Sequence, residues 1–246
     1  MKKFCLIVCL FFANLFGEDM SIGFGMYAQS QPYKNLEPIY APSPAIFYDN
    51  GIVYARWTRF GLYFFGDKTD NLSWGFSLTA QPRPNQYDPS KSSDLAGLEE
   101  KKSSFEGGLA FTMYGGGKYL EAMVVTDMLN RYDSYIAKVE SGFKYKKGKL
   151  SLYPSVVVVY ESKKFTQYYY GITQEEASRT QYERYLPDGG LRFALQSYFN
   201  YALSDAWSLF FNARLDRITN NAYNSPIVDE RYIYSGLASF LYTFDF

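Results

Sequence analysis

The feature that most limits the fold is a two-residue alternation that returns in segments of about ten residues. In residues 71–81, NLSWGFSLTAQ, Leu72, Trp74, Phe76, Leu78 and Ala80 share one side, and Ser73, Gly75, Ser77, Thr79 and Gln81 the other. Successive side chains of a strand point to opposite faces, so this is a strand pattern. The same pattern sets Tyr135, Ala137, Val139, Phe143 and Tyr145 against Lys138, Glu140 and Lys144. It sets Leu191, Phe193, Leu195, Phe199 and Tyr201 against Arg192, Gln196 and Asn200, and Phe105, Leu109, Phe111 and Met113 against Glu106 and Thr112. Trp207, Leu209, Phe211, Ala213 and Leu215 oppose Ser208, Asn212, Arg214 and Asp216. Such strands suit a soluble sandwich, with one face buried, or a membrane barrel, with one face on lipid and one on a lumen.

The connections separate the two. Strands are expected near 19–29, 44–50, 52–58, 59–66, 71–81, 104–114, 118–126, 134–146, 149–161, 189–201, 207–217 and 235–246. The even-numbered connections are tight and carry DNG, DKTD, GGG, KKGK and LSDA, which is hairpin chemistry. Four odd-numbered ones are long, near 30–43, 82–103, 162–188 and 218–234; 127–133 is intermediate and the one at Thr58 is tight. Short periplasmic turns alternating with long outer loops mark a transmembrane antiparallel β-barrel of the outer membrane. The expected fold is therefore all-β, a closed barrel of twelve strands. Two places are poorly defined: LSLYPSVVVVY has four consecutive valines and Pro154, and the boundaries within 46–66 do not resolve.

The chain begins MKKFCLIVCLFFANLFGED. Lys2 and Lys3 precede an apolar run from Phe4 to Phe16 that is too short to cross about 30 Å of hydrocarbon as a helix. Residues 1–17 read as a secretory signal peptide, with 18–246 as the barrel. Both cysteines, Cys5 and Cys9, fall in that signal, so a disulfide framework is not expected. Lysine plus arginine equals aspartate plus glutamate, 25 each, with no basic stripe for nucleic acid.

A barrel in lipid cannot leave an edge open, because each unpaired backbone group there costs several kcal/mol. The last strand must close on the first. Phe240, Tyr242, Phe244 and Phe246 then face lipid and form a C-terminal signal like that read by the barrel-assembly machinery. Residues expected to line the lumen are Arg56, Glu106, Glu121, Lys138, Glu140, Lys144, Arg192, Arg214 and Asp216. Asp245 shares that parity. The chain has no histidine, the usual general base of outer-membrane hydrolases. Carboxylate pairs are possible in principle, but the cations on the same faces point to a salt-bridged lumen rather than catalysis. No catalytic residue, cofactor or metal is expected. GGGK at 115–118 reads as a turn, YYYG at 168–171 as an interfacial belt rather than a sugar-stacking platform, and 174–184 as a solvated loop.

Several stretches together resemble the MipA/OmpV family of MltA-interacting outer-membrane proteins. They are YYYGITQEEA (168–177), the run LPDGGLRFALQSYFNYALSDAWSLFFNARLDRI, NSPIVDE (224–230) and the final GLASFLYTFDF, with QPRPNQYDPSKSSDLAGL upstream. The resemblance implies a non-enzymatic outer-membrane scaffold of peptidoglycan (murein) machinery, with a lytic transglycosylase and a penicillin-binding protein as partners. It carries no catalytic residues over. A narrow channel for small solutes is the alternative.

Overall fold

The computed structural model describes residues 19–244, so the signal segment, Asp245 and Phe246 lie outside the described residues. The strands are β1 (Met20–Gln29), β2 (Ile39–Asp49), β3 (Val53–Trp57), β4 (Arg59–Lys68), β5 (Leu72–Arg83), β6 (Ser104–Gly115) and β7 (Lys118–Asp127). They continue with β8 (Tyr135–Phe143), β9 (Tyr145–Lys147), β10 (Leu150–Glu161), β11 (Gly190–Ala202), β12 (Trp207–Arg217) and β13 (Tyr232–Phe244). Every strand pairs antiparallel with its neighbour, and β13 closes on β1 with Phe244 opposite Met20 and Ser235 opposite Gln29. The chain is therefore a closed barrel.

β8 and β9 are two halves of one strand, which makes twelve among the described residues. β10 pairs with β8 from Ser155 and with β9 up to Leu152, so Tyr153 and Pro154 have no partner on that side. Pro154 has no N–H to give, and the Lys144 amide turns instead to the Gly117 carbonyl at 2.7 Å. Two strands are longer than the alternation suggested: β2 starts at Ile39 and β13 at Tyr232. Prolines at 42 and 44 hide the start of β2 from propensity.

The alternation sorts the side chains. Phe24, Leu195 and Phe240 are each at least 60% exposed on the outer face, and Phe193 and Phe211 share it. At the short-turn end Trp207 packs on Tyr242, with ring centroids 5.0 Å apart. At the other end Tyr40, Tyr135, Tyr160, Tyr232 and Tyr234 are exposed outward, so aromatic girdles bound the apolar band. Gly116 and Gly117, at φ 56° and 74°, make the β6–β7 turn, where a two-residue hairpin needs the left-handed region.

The long loops fold over one mouth. α1 (Lys163–Tyr170) is capped by Ser162, whose hydroxyl accepts from the Phe165 amide. α2 (Gln174–Ser178) starts with a capping box made by Thr173 and Glu176, and α3 (Asn220–Tyr223) is capped by Thr219. Phe165, Tyr169 and Tyr170 are fully buried, with Tyr33, Tyr87, Leu95, Ile172 and Ile227 around them. The tyrosines of YYYG thus form the core of a cap, not an interfacial belt: α1 turns them inward over the mouth.

Candidate functional site

Below the cap lies a cavity of about 1570 Å³ that opens at the short-turn end. Its wall carries two belts of charge, because inward positions of neighbouring strands stand at matching heights. In the belt nearer the short turns, Glu121 on β7 accepts a bidentate pair from Arg59 on β4. Arg56 reaches Glu121 at 3.4 Å and Asp49 at 3.0 Å. Lys138 bridges Glu121 at 2.8 Å and Glu140 at 3.1 Å. Glu140 also accepts from Ser155 at 2.9 Å and Gln196 at 3.1 Å. Three cations thus face three carboxylates.

The belt under the cap has the same balance. Arg83 holds Glu106 through two bonds of 2.7 and 2.8 Å, and the Tyr132 hydroxyl donates to Glu106 at 2.7 Å. Arg192 pairs with Glu161 at 2.7 Å and lies 3.8 Å from Asp216. Arg214 holds Asp216 through two 2.7 Å bonds and donates to Gln196 at 3.2 Å, joining the belts. The Tyr170 hydroxyl accepts from Arg192 at 3.2 Å and ties this belt to the cap.

Of the residues the sequence assigned to the lumen, Arg56, Glu121, Lys138, Glu140, Arg192, Arg214 and Asp216 line the cavity. Glu106 is fully buried behind Arg83. Lys144 does not join the belts: it sits exposed at the short-turn rim, its ammonium 5.7 Å from the Tyr153 ring, because the strand breaks at that residue. Arg59, Arg83 and Glu161 were missed. Their partners lie far away in sequence, and local alternation gives no signal of pairing.

Much of the rest of the wall is apolar, with Ser43, Asn212 and Ser235 set among the apolar groups. Phe210, Leu237, Leu241 and Ala45 are buried inward, with Tyr27, Phe47, Trp57 and Tyr198 against them. Phe47 and Phe210 are 4.8 Å apart by ring centroid. The lumen is thus two-sided, with ionic belts on one side and aromatic and aliphatic groups on the other. Each belt carboxylate is engaged by a cation, and among the described residues the buried Glu161 Oε2 is the one belt carboxylate oxygen with no hydrogen-bond partner. Among the described residues, acidic groups and cysteines form no metal-binding cluster.

The family profile described as MltA-interacting protein MipA matches residues 22–244. This chain belongs to the MipA family. It is 29% identical to the MltA-interacting protein of Escherichia coli strain K12, over 92% of this chain and 90% of that one. It is 23% identical to outer membrane protein Omp26La of Vibrio anguillarum, over 83% and 79% of the two chains. It is 25% identical to outer membrane protein OmpV of Vibrio cholerae, over 68% and 63%. This MipA-family barrel is an outer-membrane protein. The short-turn end faces the periplasm and the cap faces outward.

Proposed function

We propose that this protein is a non-enzymatic docking barrel for murein machinery, holding a lytic transglycosylase, and through it a penicillin-binding synthase, against the outer membrane. The observation that carries the reading is the one-sided closure. A packed aromatic core covers the outer mouth, and the periplasmic mouth is open, so a partner from water engages the periplasmic rim. The name of the Escherichia coli relative supplies the partner class. The rim also has a fitting surface: Lys118, Lys144, Lys146, Lys147 and Lys149 are exposed on adjacent turns and suit an acidic partner face. Absent histidine and committed carboxylates support the non-enzymatic part.

Detergent-solubilised protein, immobilised and exposed to periplasmic extract, should retain a murein enzyme. Lys146→Glu with Lys147→Glu, or raised salt, should release it, since surface attraction is screened beyond about 8–10 Å. Retention of no murein enzyme by the unaltered protein sinks the reading. A second reading, a narrow solute channel, is favoured by the size of the cavity. Planar-bilayer recording separates the two. A docking barrel is silent until residues 162–188 are removed, whereas a channel conducts steadily with its cap in place.

A further inference from the structure

The barrel wall has a gap. Trp57 and Thr58 form the tip of the β3–β4 hairpin, and β2 runs well past it. Ile46 is the last β2 residue with a partner on β3, so residues 39–45 pair only with β1. Across the gap, Ala80 is the last β5 residue paired with β4, and residues 81–83 pair only with β6. At a rise of about 3.3 Å per residue, the missing wall is about 10 Å tall along β5 and about 23 Å along β2.

The gap lies in the hydrocarbon of the outer leaflet. Tyr40 belongs to the outer girdle, and Pro42 and Pro44 stand below it beside lipid-facing Met26 and Phe24. Unpaired backbone there costs several kcal/mol per group, and the sequence removes the donors. The Asn50 amide bonds to the Val53 carbonyl, so even-numbered β2 residues direct their backbone toward β3 and, higher up, into the gap. Those gap-facing positions include Pro42 and Pro44. On β5, Gln81 and Arg83 turn to β6, and Pro82 turns to the gap. Prolines on both edges are what an intentionally unpaired edge requires. One carbonyl is also answered: the Ser43 hydroxyl donates to the Pro44 carbonyl at 3.2 Å while accepting from the Trp57 indole at 2.9 Å.

Trp57 stands at the foot of the gap. Its φ is 62°, a strained conformation for a bulky residue. Its ring packs 5.6 Å from that of Tyr27 and borders the apolar side of the lumen. Arg56 and Arg59 flank the same hairpin tip on the inside, with their charges balanced by Asp49 and Glu121. Ala41, Ser43, Trp57, Thr58, Pro82 and Asn85 line the cavity, so gap and lumen are continuous.

We infer that the gap is a lateral portal between the outer leaflet and the lumen. It admits an amphiphile whose apolar body passes Trp57 onto the apolar wall and whose polar end meets the charged belt. The belt is already neutral, so the polar end is uncharged or zwitterionic. This use of the barrel is independent of murein docking.

Two forms of the full barrel test it, one keeping only Trp57 (Trp74→Phe, Trp207→Phe) and one keeping only lipid-facing Trp207. Both are placed in vesicles of phosphatidylcholine brominated at mid-chain, which quenches tryptophan on contact. The Trp57 emission should fall as that of Trp207 does. In unbrominated vesicles, a brominated single-chain phosphocholine should quench Trp57 saturably, and Ala41→Phe should weaken that binding. An unquenched Trp57 beside a quenched Trp207 overturns the portal, and quenching by the single-chain probe that never saturates overturns the binding site. If the Trp57-only form does not fold, the difference in quenching between the natural chain and Trp57→Phe reads the same contact.

Discussion

Substituting Phe211 and its neighbour Asn212 by arginine, one at a time, tests the assignment of faces. Phe211 is 42% exposed on the outer face of β12, between Phe199 of β11 and Ala238 of β13. It lies midway between Trp207 in the periplasmic girdle and Leu215, which stands beside Tyr234 of the outer girdle. That is the bilayer midplane, where an arginine on the lipid face costs about 2–4 kcal/mol. At 1.4 kcal/mol per decade this lowers the folded-to-unfolded ratio by a factor of about 30 to 700. Asn212, one residue on, is 5% exposed and lines the lumen, where Arg214 of the same strand is already held by Asp216. Phe211→Arg should therefore lose most heat-modifiable protein from outer-membrane fractions, and Asn212→Arg should keep it. Equal folding of both variants refutes the two-faced strand. Loss only in Asn212→Arg means a register slipped by one residue, which exchanges inside and outside along the whole strand.

Two further outcomes follow from buried charge. Glu121→Gln leaves Arg59, Arg56 and Lys138 facing only Glu140 and Asp49. It should cost about 3 kcal/mol in urea unfolding from vesicles, the low end for breaking a buried pair because the lumen is wet. Arg59→Gln in the same chain should recover part of that loss. In the cap, burial pushes the Glu176 carboxyl up, but the Thr173 and Glu99 amides and the Lys101 ammonium outweigh it and hold it below 4.5. Its contribution is therefore complete above pH 4.5 and lost as pH falls through the lowered folded value. Near-ultraviolet dichroism of the cap tyrosines should weaken over that acid range, and Glu176→Gln should remove the Glu176 part of the dependence, leaving that of Asp127, which the Tyr132 amide also holds low.

Where sequence and structure agree, the cause is local. A pleated strand alternates its side chains whatever its neighbours are, so faces such as Phe193, Leu195 against Arg192, Gln196 are legible one segment at a time. Turn chemistry is local too, and the sorting of short turns from long loops was enough to distinguish barrel from sandwich. Pairing of the last strand with the first followed because an edge left open along its whole length is too costly in lipid. The sequence could not reveal which inward groups meet. Arg59 reaches Glu121 and Arg83 reaches Glu106 only because distant strands stand at one height. Nor could it reveal that Tyr33, Tyr87 and Tyr170, from three separate loops, would share one core over the mouth. The gap beside Trp57 is the clearest case. It arises because β2 and β5 outrun the hairpin between them, and relative strand height is a property of register, fixed only when the sheet assembles.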